Sequence, residues 1–340
     1  MTTERQKTAD RGWMRHALVV AARSTGNTAE NPAVGCLVVS QNNQLIGIGH
    51  TAAGGRPHAE PQALEMAGEG AKGATAYVTL EPCAHHGQTP PCAEALVQAG
   101  IARVVIAAGD PDPRVSGKGA QILRDAGIEV ETGVLEQQAA YQLAGFFSRI
   151  TSGRPHVLLK MAKSADGKIA AGPGQRTQIT GPLFKSRVHL LRARADAIMV
   201  GAQTVRIDKP SLTCRLPGLE NRSPQIVIAG GDETLPLPEN AIHFKGMVDF
   251  AESLRELGNM GINLLLVEGG AKIARSLLEA DLVDEAILAT APLTIGEQGV
   301  DALAGLPLSH IEAEGRFVCK STETVGRDVV KHYLRVKRTD

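Results

Sequence analysis

The chain has 340 residues, enough for two domains, and is 43% hydrophobic but only 3% aromatic, so its cores must be built from aliphatic side chains. Lys plus Arg and Asp plus Glu number 36 each, and that balance excludes a global field for a polyanion. Five cysteines without regular spacing exclude a disulfide framework, and no apolar run reaches membrane-spanning length. The polar N-terminal stretch lacks the apolar core of a signal peptide, so a cytoplasmic protein is expected.

Residues 12–24 carry apolar positions at helical spacing and predict an opening helix. Asn31-Pro32 breaks the chain before a buried-strand pattern at 34–39. Gln41-Asn42-Asn43 turns it into a second strand at 45–49, giving a hairpin. Pro57 precedes a helix that begins around His58 and Glu60. Strand 76–80 ends in Glu81-Pro82-Cys83, at the end of an α/β sheet where ligands commonly lie. Pro91-Cys92 opens a helix running to Gly100, with Pro where a helix start tolerates it. Strand 103–108, helix 118–126 and strand 128–132 complete a first α/β sheet covered by helices.

The chemistry in this half concentrates on His58-Ala59-Glu60, Glu81-Pro82-Cys83 and Pro90-Pro91-Cys92. One imidazole and two thiolates can hold zinc with a fourth position open, the arrangement of a catalytic rather than a closed structural site. Zinc makes a water acidic, and Glu60, two residues from His58, can collect and redeliver the proton. Zinc deaminases read H-x-E followed by P-C-x-x-C. Here the cysteines are nine positions apart, but each still follows a proline. Any one of these residues alone could be a core or surface residue; together they predict a hydrolytic zinc site acting on an amino group.

Ser148 to Pro155 has the Ser/Gly/Pro character of a domain boundary, which divides the chain at 1–150 and 151–340. A strand at 156–162 and a turn at Asp166-Gly167 precede helix 181–195 and strand 196–200. Strand 225–229 ends in Gly230-Gly231. Strand 263–267 ends in Glu268-Gly269-Gly270 before helix 271–280, and strands near 283–290, 316–321 and 328–337 close the domain. A Gly pair before a helix lets backbone amides approach phosphate, though such pairs also simply make tight turns. It is not a GxGxxG fingerprint, so a standard Rossmann fold is not expected.

The segments Asn31-Pro32-x-Val34-Gly35, HAE, VTLEPCAHHGQTPPC and GDPDPRVSGKG resemble the deaminase half of the bifunctional riboflavin-biosynthesis deaminase/reductase family. LKMAKSADGKIA, LRARADAIMVGAQTVRIDKPSLTCR and LLVEGGAKIARSLL resemble its reductase half. The resemblance implies a cytidine-deaminase-like α/β/α domain followed by a dihydrofolate-reductase-like α/β domain. It further implies zinc-dependent deamination of a diamino-hydroxy-ribosylamino-pyrimidine phosphate, then NADPH-dependent reduction of the ribosyl chain of the deaminated product to ribityl. Zinc ligands carry over to His58, Cys83 and Cys92, and the proton shuttle to Glu60. Asn31, His50 and His85 match pyrimidine-pocket positions, and His85 can equally be a solvated loop residue.

In the second half, Lys160 and Asp208 match catalytic or orienting positions. Arg192, Arg215, Leu212 and Glu268 match substrate contacts. Ala162, Thr204, Asp208, Gly270, Ala271, Lys272, Ile273, Ala274, Arg275 and Ser276 match cofactor contacts. The sequence departs from the family at Gln88, where Arg is common, and at Arg176 and Gln178, where a small residue and an aromatic are common. Arg176 could add a phosphate contact and Gln178 a hydrogen bond to the cofactor, or cofactor affinity could fall. The alternative function is therefore a deaminase whose second half binds ligand without reducing it. Nucleic acid and membrane partners are not expected, whereas the resemblance suggests self-association.

Overall fold

The computed structural model describes residues 3–86, 90–113, 115–313 and 315–336. Two compact units divide between Gly153 and Arg154.

The first unit opens with α1 (Glu4–Ala21), then the hairpin β1 (Gly35–Val39) and β2 (Leu45–His50), α2 (Ala59–Ala67), β3 (Thr75–Leu80), α3 (Cys92–Gln98), β4 (Arg103–Ala108), α4 (Lys118–Asp125), β5 (Glu129–Thr132), α5 (Glu136–Gln142) and α6 (Ala144–Ser152). The five strands form one sheet in the order β2-β1-β3-β4-β5. β1 runs antiparallel to both neighbours, while β3, β4 and β5 run parallel. Strands β1 and β4 are buried throughout, as expected of a sheet covered on both faces.

The opening helix begins eight residues earlier than its apolar spacing predicts. Thr3 caps it by accepting from Gln6 N, and its first turns are polar and exposed, so the apolar period does not mark its start. It is fixed to the sheet by a buried network. Asp10 takes a two-pronged pair from Arg103 at 2.9 Å on each arm and a further bond from Tyr77 Oη at 2.9 Å. The stretch from 148 reads as a boundary in sequence, but α6 continues to Ser152 and ends at Gly153 in the left-handed region, so the helix is longer than its Ser and Thr content suggests.

The second unit follows in chain order as β6 (His156–Ser164), β7 (Lys168–Ala170), α7 (Pro182–Arg194), β8 (Ala197–Gly201), α8 (Ala202–Asp208), β9 (Gln225–Ala229), β10 (Ile242–Phe244), α9 (Phe250–Asn259), β11 (Leu264–Val267), α10 (Ala271–Glu279), β12 (Glu285–Ala291), β13 (Val300–Asp301), α11 (Ser309–Glu312), β14 (Phe317–Val325) and β15 (Asp328–Arg335). Its main sheet has the order β10-β9-β8-β11-β6-β12-β15-β14, and β13 pairs with β7 separately. The strands from β10 to β12 are parallel, and β15 and β14 close the sheet antiparallel. Core clusters lie on both faces: Leu159, Met199, Leu265 and Leu277 in one, Phe184, Ile198, Ile228 and Leu266 in the other. Burying each such side chain contributes about 1.5–3 kcal/mol.

Candidate active sites

In the first unit, the hydrophobic pattern brings three sequence-distant donors together. His58 is the N-cap of α2, Cys83 follows β3, and Cys92 is the first residue of α3. Rigid element ends hold all three. α2 can lie close because β2 carries Gly49, where an added Cβ would sit 1.9 Å from the Ala59 carbonyl oxygen. His58 Nδ1 is 3.4 Å from Cys92 Sγ and 3.9 Å from Cys83 Sγ. Cys83 Sγ also accepts from Cys92 N at 3.2 Å. The hydrogen bond shared with Cys92 draws the Cys83 thiol down to about 4, and the same bond pushes Cys92 up.

Glu60 lies in the first turn of α2 and is 3% exposed; burial pushes its carboxyl above the ordinary range. Glu60, His58 and Cys83 line a cavity of about 390 Å³ that Asn31 and His85 also line. Asn31 sits against Gly55, whose φ of 92° suits glycine and where an added Cβ would strike Asn31 Nδ2. His50 is not among the lining residues: its Nδ1 is hydrogen-bonded to Ser24 Oγ at 2.9 Å and Thr51 O at 3.2 Å. Cys92 is buried and contributes no lining. Gln88 lies outside the described residues.

Several wall residues escaped the sequence reading. Asp110 lines the cavity with its carboxyl pushed up to about 6 by burial. Arg56, Phe146 and Arg149 line it too, the last two from α6. Glu81, next to a proposed ligand, has another task. Its carboxylate accepts from Gly117 N at 3.0 Å and Ala120 N at 3.1 Å, capping α4 from across the sheet end. It also accepts from Asp110 N at 3.4 Å.

In the second unit, β6, β11 and α7 bring Lys160, Glu268 and Arg192 together. Arg192 donates to Glu268 through Nε at 2.7 Å and Nη2 at 3.1 Å, and Lys160 Nζ lies 3.7 Å from the same carboxylate. Burial alone would raise Glu268, but the Lys160 charge and the Arg192 bonds outweigh it and hold the carboxyl below its ordinary value. Lys160 Nζ is also 5.9 Å from the centroid of the Phe184 ring. Of the three arginines on α7, Arg192 turns to this cluster, whereas Arg187 pairs with Glu323 and Arg194 is exposed.

Arg192 Nη1 donates to Thr213 O, beside Leu212, a buried residue at φ 55°, in the left-handed region that a leucine rarely occupies. Arg215 is exposed and donates to Ser211 Oγ at 2.7 Å and, through its backbone N, to His189 Nδ1 at 3.3 Å. Burial, with Arg192 and Arg215 nearby, lowers His189 and favours the neutral ring; sequence reasoning had not singled it out. Asp208 is the half-buried last residue of α8, and Ala162 is half-buried in β6. Arg176 and Gln178 are exposed in the irregular stretch before α7.

Gly270 is the N-cap of α10 and has no side-chain cap, and a Cβ on it would be 3.7 Å from Thr204 Oγ1. Within α10 the expected cofactor segment divides. The amides of Ala271, Lys272 and Ile273 precede the first helical bond, whereas Ala274 N already donates to Gly270 O at 3.2 Å. The side chains of Ile273 and Ala274 are core, Arg275 pairs with Glu279, Lys272 is exposed and Ser276 is half-buried.

Two family models match, the "cytidine and deoxycytidylate deaminase zinc-binding region" over residues 7–108 and the "RibD C-terminal domain" over 155–331. The riboflavin biosynthesis protein RibD of Escherichia coli is 38% identical, over 96% of this chain and 99% of that protein. The Aquifex aeolicus RibD is 38% identical over 96% and 98%. The chain belongs to the RibD family.

The solved RibD of Acinetobacter baumannii superimposes with a TM-score of 0.89 at 36% identity, covering 97% of this chain and all of that one. A Thermotoga maritima structure, described as a diaminohydroxyphosphoribosylaminopyrimidine deaminase/5-amino-6-(5-phosphoribosylamino)uracil reductase, gives a TM-score of 0.85 at 32% identity over 97% and 99%. The RibD chain is thus a bifunctional enzyme of riboflavin biosynthesis, with a cytidine-deaminase-like unit that uses zinc and a reductase unit that uses NADPH. No helix among the described residues is long and apolar enough to cross a membrane.

Both cofactors fit what the RibD chain presents. A tetrahedral zinc with ordinary bond lengths needs nitrogen–sulfur separations of about 3.5 Å and a sulfur–sulfur separation of about 3.8 Å. The three donor atoms here lie within 4.8 Å of one another. For NADPH, Gly201 and Gly270 begin α8 and α10 at the ends of adjacent strands β8 and β11, and neither helix has a side-chain cap. Uncapped amides of this kind suit a dinucleotide phosphate, and glycine keeps them open to close approach.

Proposed function

We propose that the first unit deaminates a diamino-hydroxy-ribosylamino-pyrimidine phosphate and that the second reduces the resulting amino-(phosphoribosylamino)uracil. The observation carrying this reading is the convergence of His58, Cys83 and Cys92 with the buried Glu60 at one cavity. When bound, zinc makes a hydrolytic water acidic near neutral pH, and NADPH supplies a hydride. Glu60 accepts a proton from the water and returns it to the amine, so that ammonia leaves and a ring carbonyl forms. Its raised pKa suits a group that must hold a proton and then release it. Asn31 and His85 orient the pyrimidine, with His50 behind them.

In the second unit, bound NADPH would supply hydride to the ribosyl carbon in its ring-opened imine or carbonyl form, and the neighbouring nitrogen or oxygen would need a proton. Lys160 and Asp208 position and protonate that group. Glu268, kept ionised by Lys160 and Arg192, orients the lysine and contacts substrate. Arg192, Arg215, the Leu212 backbone and Arg176 hold the substrate and its phosphate. Thr204, the amides at the start of α10, Ala162 and Gln178 hold the cofactor. The reading extends to self-association and to a cytoplasmic location, the location alone being supported by the free thiols of all five cysteines.

The test follows NADPH absorbance with zinc-loaded protein and the aminated substrate. Loss of signal that vanishes in Glu60→Gln, and returns when deaminated substrate is supplied, is the expected result. Ammonia release without NADPH oxidation, even on deaminated substrate, would remove the second half of the reading.

A further inference from the structure

Asn31 is given to the pyrimidine above, yet its own side chain does nothing to fix it. The side-chain amide makes no hydrogen bond among the described residues, so its place is set by the backbone that carries it and by what packs against it. That backbone belongs to the irregular stretch between α1 and β1, and Pro32 next to it has no N–H to pair. A segment without ladder or helix bonds must satisfy its buried polar groups through side chains.

Three hydroxyls do this. Thr28 Oγ1 donates to Asn31 O at 2.6 Å. Thr51, the residue after β2, donates from Oγ1 to Pro32 O at 2.8 Å and accepts there from Val34 N at 2.9 Å, while its own N donates to Val34 O at 2.9 Å. Ser24 Oγ donates to Thr51 O at 2.6 Å. A hydroxyl has one hydrogen and a carbonyl only accepts, so Ser24 Oγ meets His50 Nδ1 at 2.9 Å by accepting from it. Ser24, Thr28 and Thr51 are all buried, which shields these bonds from water. Gly55 closes the far side, where an added Cβ would strike the Asn31 amide and stand 2.7 Å from Thr28 O. Thr51 lines the same cavity as Asn31, but its one hydroxyl proton is already spent on Pro32 O, which makes it a fastening rather than a ligand group.

We propose that Thr51, with Thr28 on the other side, is a positioning residue of the deaminase, whose hydroxyl fixes the Asn31-Pro32 backbone so that the Asn31 amide meets the pyrimidine. The role rests on the reading of the first unit as a pyrimidine deaminase. It belongs to the oxygen and not to bulk, since valine has the shape of threonine without the hydroxyl.

The test measures ammonia release from the aminated ribosyl phosphate by zinc-loaded full-length protein. Wild type, Thr51→Val, Thr51→Ser, Asn31→Ala and the double variant Thr51→Val/Asn31→Ala are compared. Zinc content and a thermal melt report whether each is folded and loaded. Leaving a buried hydrogen-bonding group unmet costs roughly tenfold to a hundredfold, and Thr51→Val should lose about that factor in kcat/KM. Thr51→Ser keeps the oxygen and should keep most of the activity. In the Asn31→Ala background, Thr51→Val should cost no more than about twofold further, because the group it positions is gone. An unchanged Thr51→Val, a Thr51→Ser as poor as Thr51→Val, or a loss as large in the double variant as in wild type would overturn the role. Where Thr51→Val does not fold, Thr28→Val and Thr28→Ser decide by the same comparisons. Wild type that releases no ammonia would overturn the deaminase reading and the role with it, whereas an active wild type indifferent to Asn31→Ala would overturn the role alone.

Discussion

Two glutamates, one in each unit and both largely shielded from solvent, have been pushed in opposite directions by their surroundings. Glu60 is 3% exposed, and burial raises it toward the protonated form. Glu268, its side chain 11% exposed, is also opposed by burial, but Lys160 and Arg192 hold it below its ordinary value. The contrast teaches that burial alone does not assign a carboxylate its role; the charges packed around it do. In the proposed mechanism Glu60 carries a proton, whereas Glu268 stays charged beside Lys160 and Arg192.

The largest effect expected from breaking that contrast is at Glu60. Glu60→Gln should lower ammonia release by about 10²–10⁴-fold, because a side chain that cannot shuttle a proton removes general acid–base catalysis. Zinc measured by atomic absorption should stay stoichiometric, and reduction of deaminated substrate should continue. Parallel loss of both activities in folded protein would show that the two carboxylates do not serve separate sites.

Asp10→Asn tests whether a charge pair outside either cavity matters as much to folding. It leaves Arg103 buried with half its partners, and breaking such a pair typically costs about 3–5 kcal/mol. A chemical denaturation midpoint unchanged from wild type would contradict the network's role in seating α1.

A third buried glutamate sharpens the comparison through pH. Burial opposes ionisation of Glu285, but hydrogen bonds with His156 and His332 win and lower it from 4.5 to about 2. Its folded value lies below the unfolded one, so the stability it contributes is complete above pH 4.5 and is lost as pH falls toward 2. That contribution is on the order of 3 kcal/mol. Thermal melts of wild type and Glu285→Gln should differ most near neutral pH and converge in acid; a constant gap across the window would rule the linkage out.

The smallest effect expected is at a helix end. Asp249 caps α9 by accepting from Ala251 N at 2.9 Å and Glu252 N at 3.1 Å. Asp249→Ala should cost about 1 kcal/mol, read as a modest drop in Tm with both activities intact.

The deaminase centre was legible because its ligands sit in short local patterns, each beside a proline or at a helix start. Its walls were not. Arg149 and Phe146 belong to a helix hidden in a stretch rich in Ser, Thr and Gly, and Arg56 differs from any loop arginine only by where the fold puts it. The reductase cluster joins residues 76 positions apart, Arg192 and Glu268, a distance over which a single sequence carries no pairing signal. A helix such as α9 could have been found, since Asp249 stands before buried positions at Leu254 and Leu257. Cys319 is exposed on the edge strand β14, where strand alternation was too weak to predict a face.

Glu81 ties the segment leading to Cys83 to Asp110, to Gly117 and to the first turn of α4 at Ala120 through a single carboxylate. None of these is free to drift alone. A homologous sequence that lengthens the loop between 110 and 120 must give up those amide bonds, so its residue at 81 should have changed as well. The evolutionary history of this pocket is then one of coupled replacements, and an alignment in which loop length and residue 81 vary independently would show otherwise.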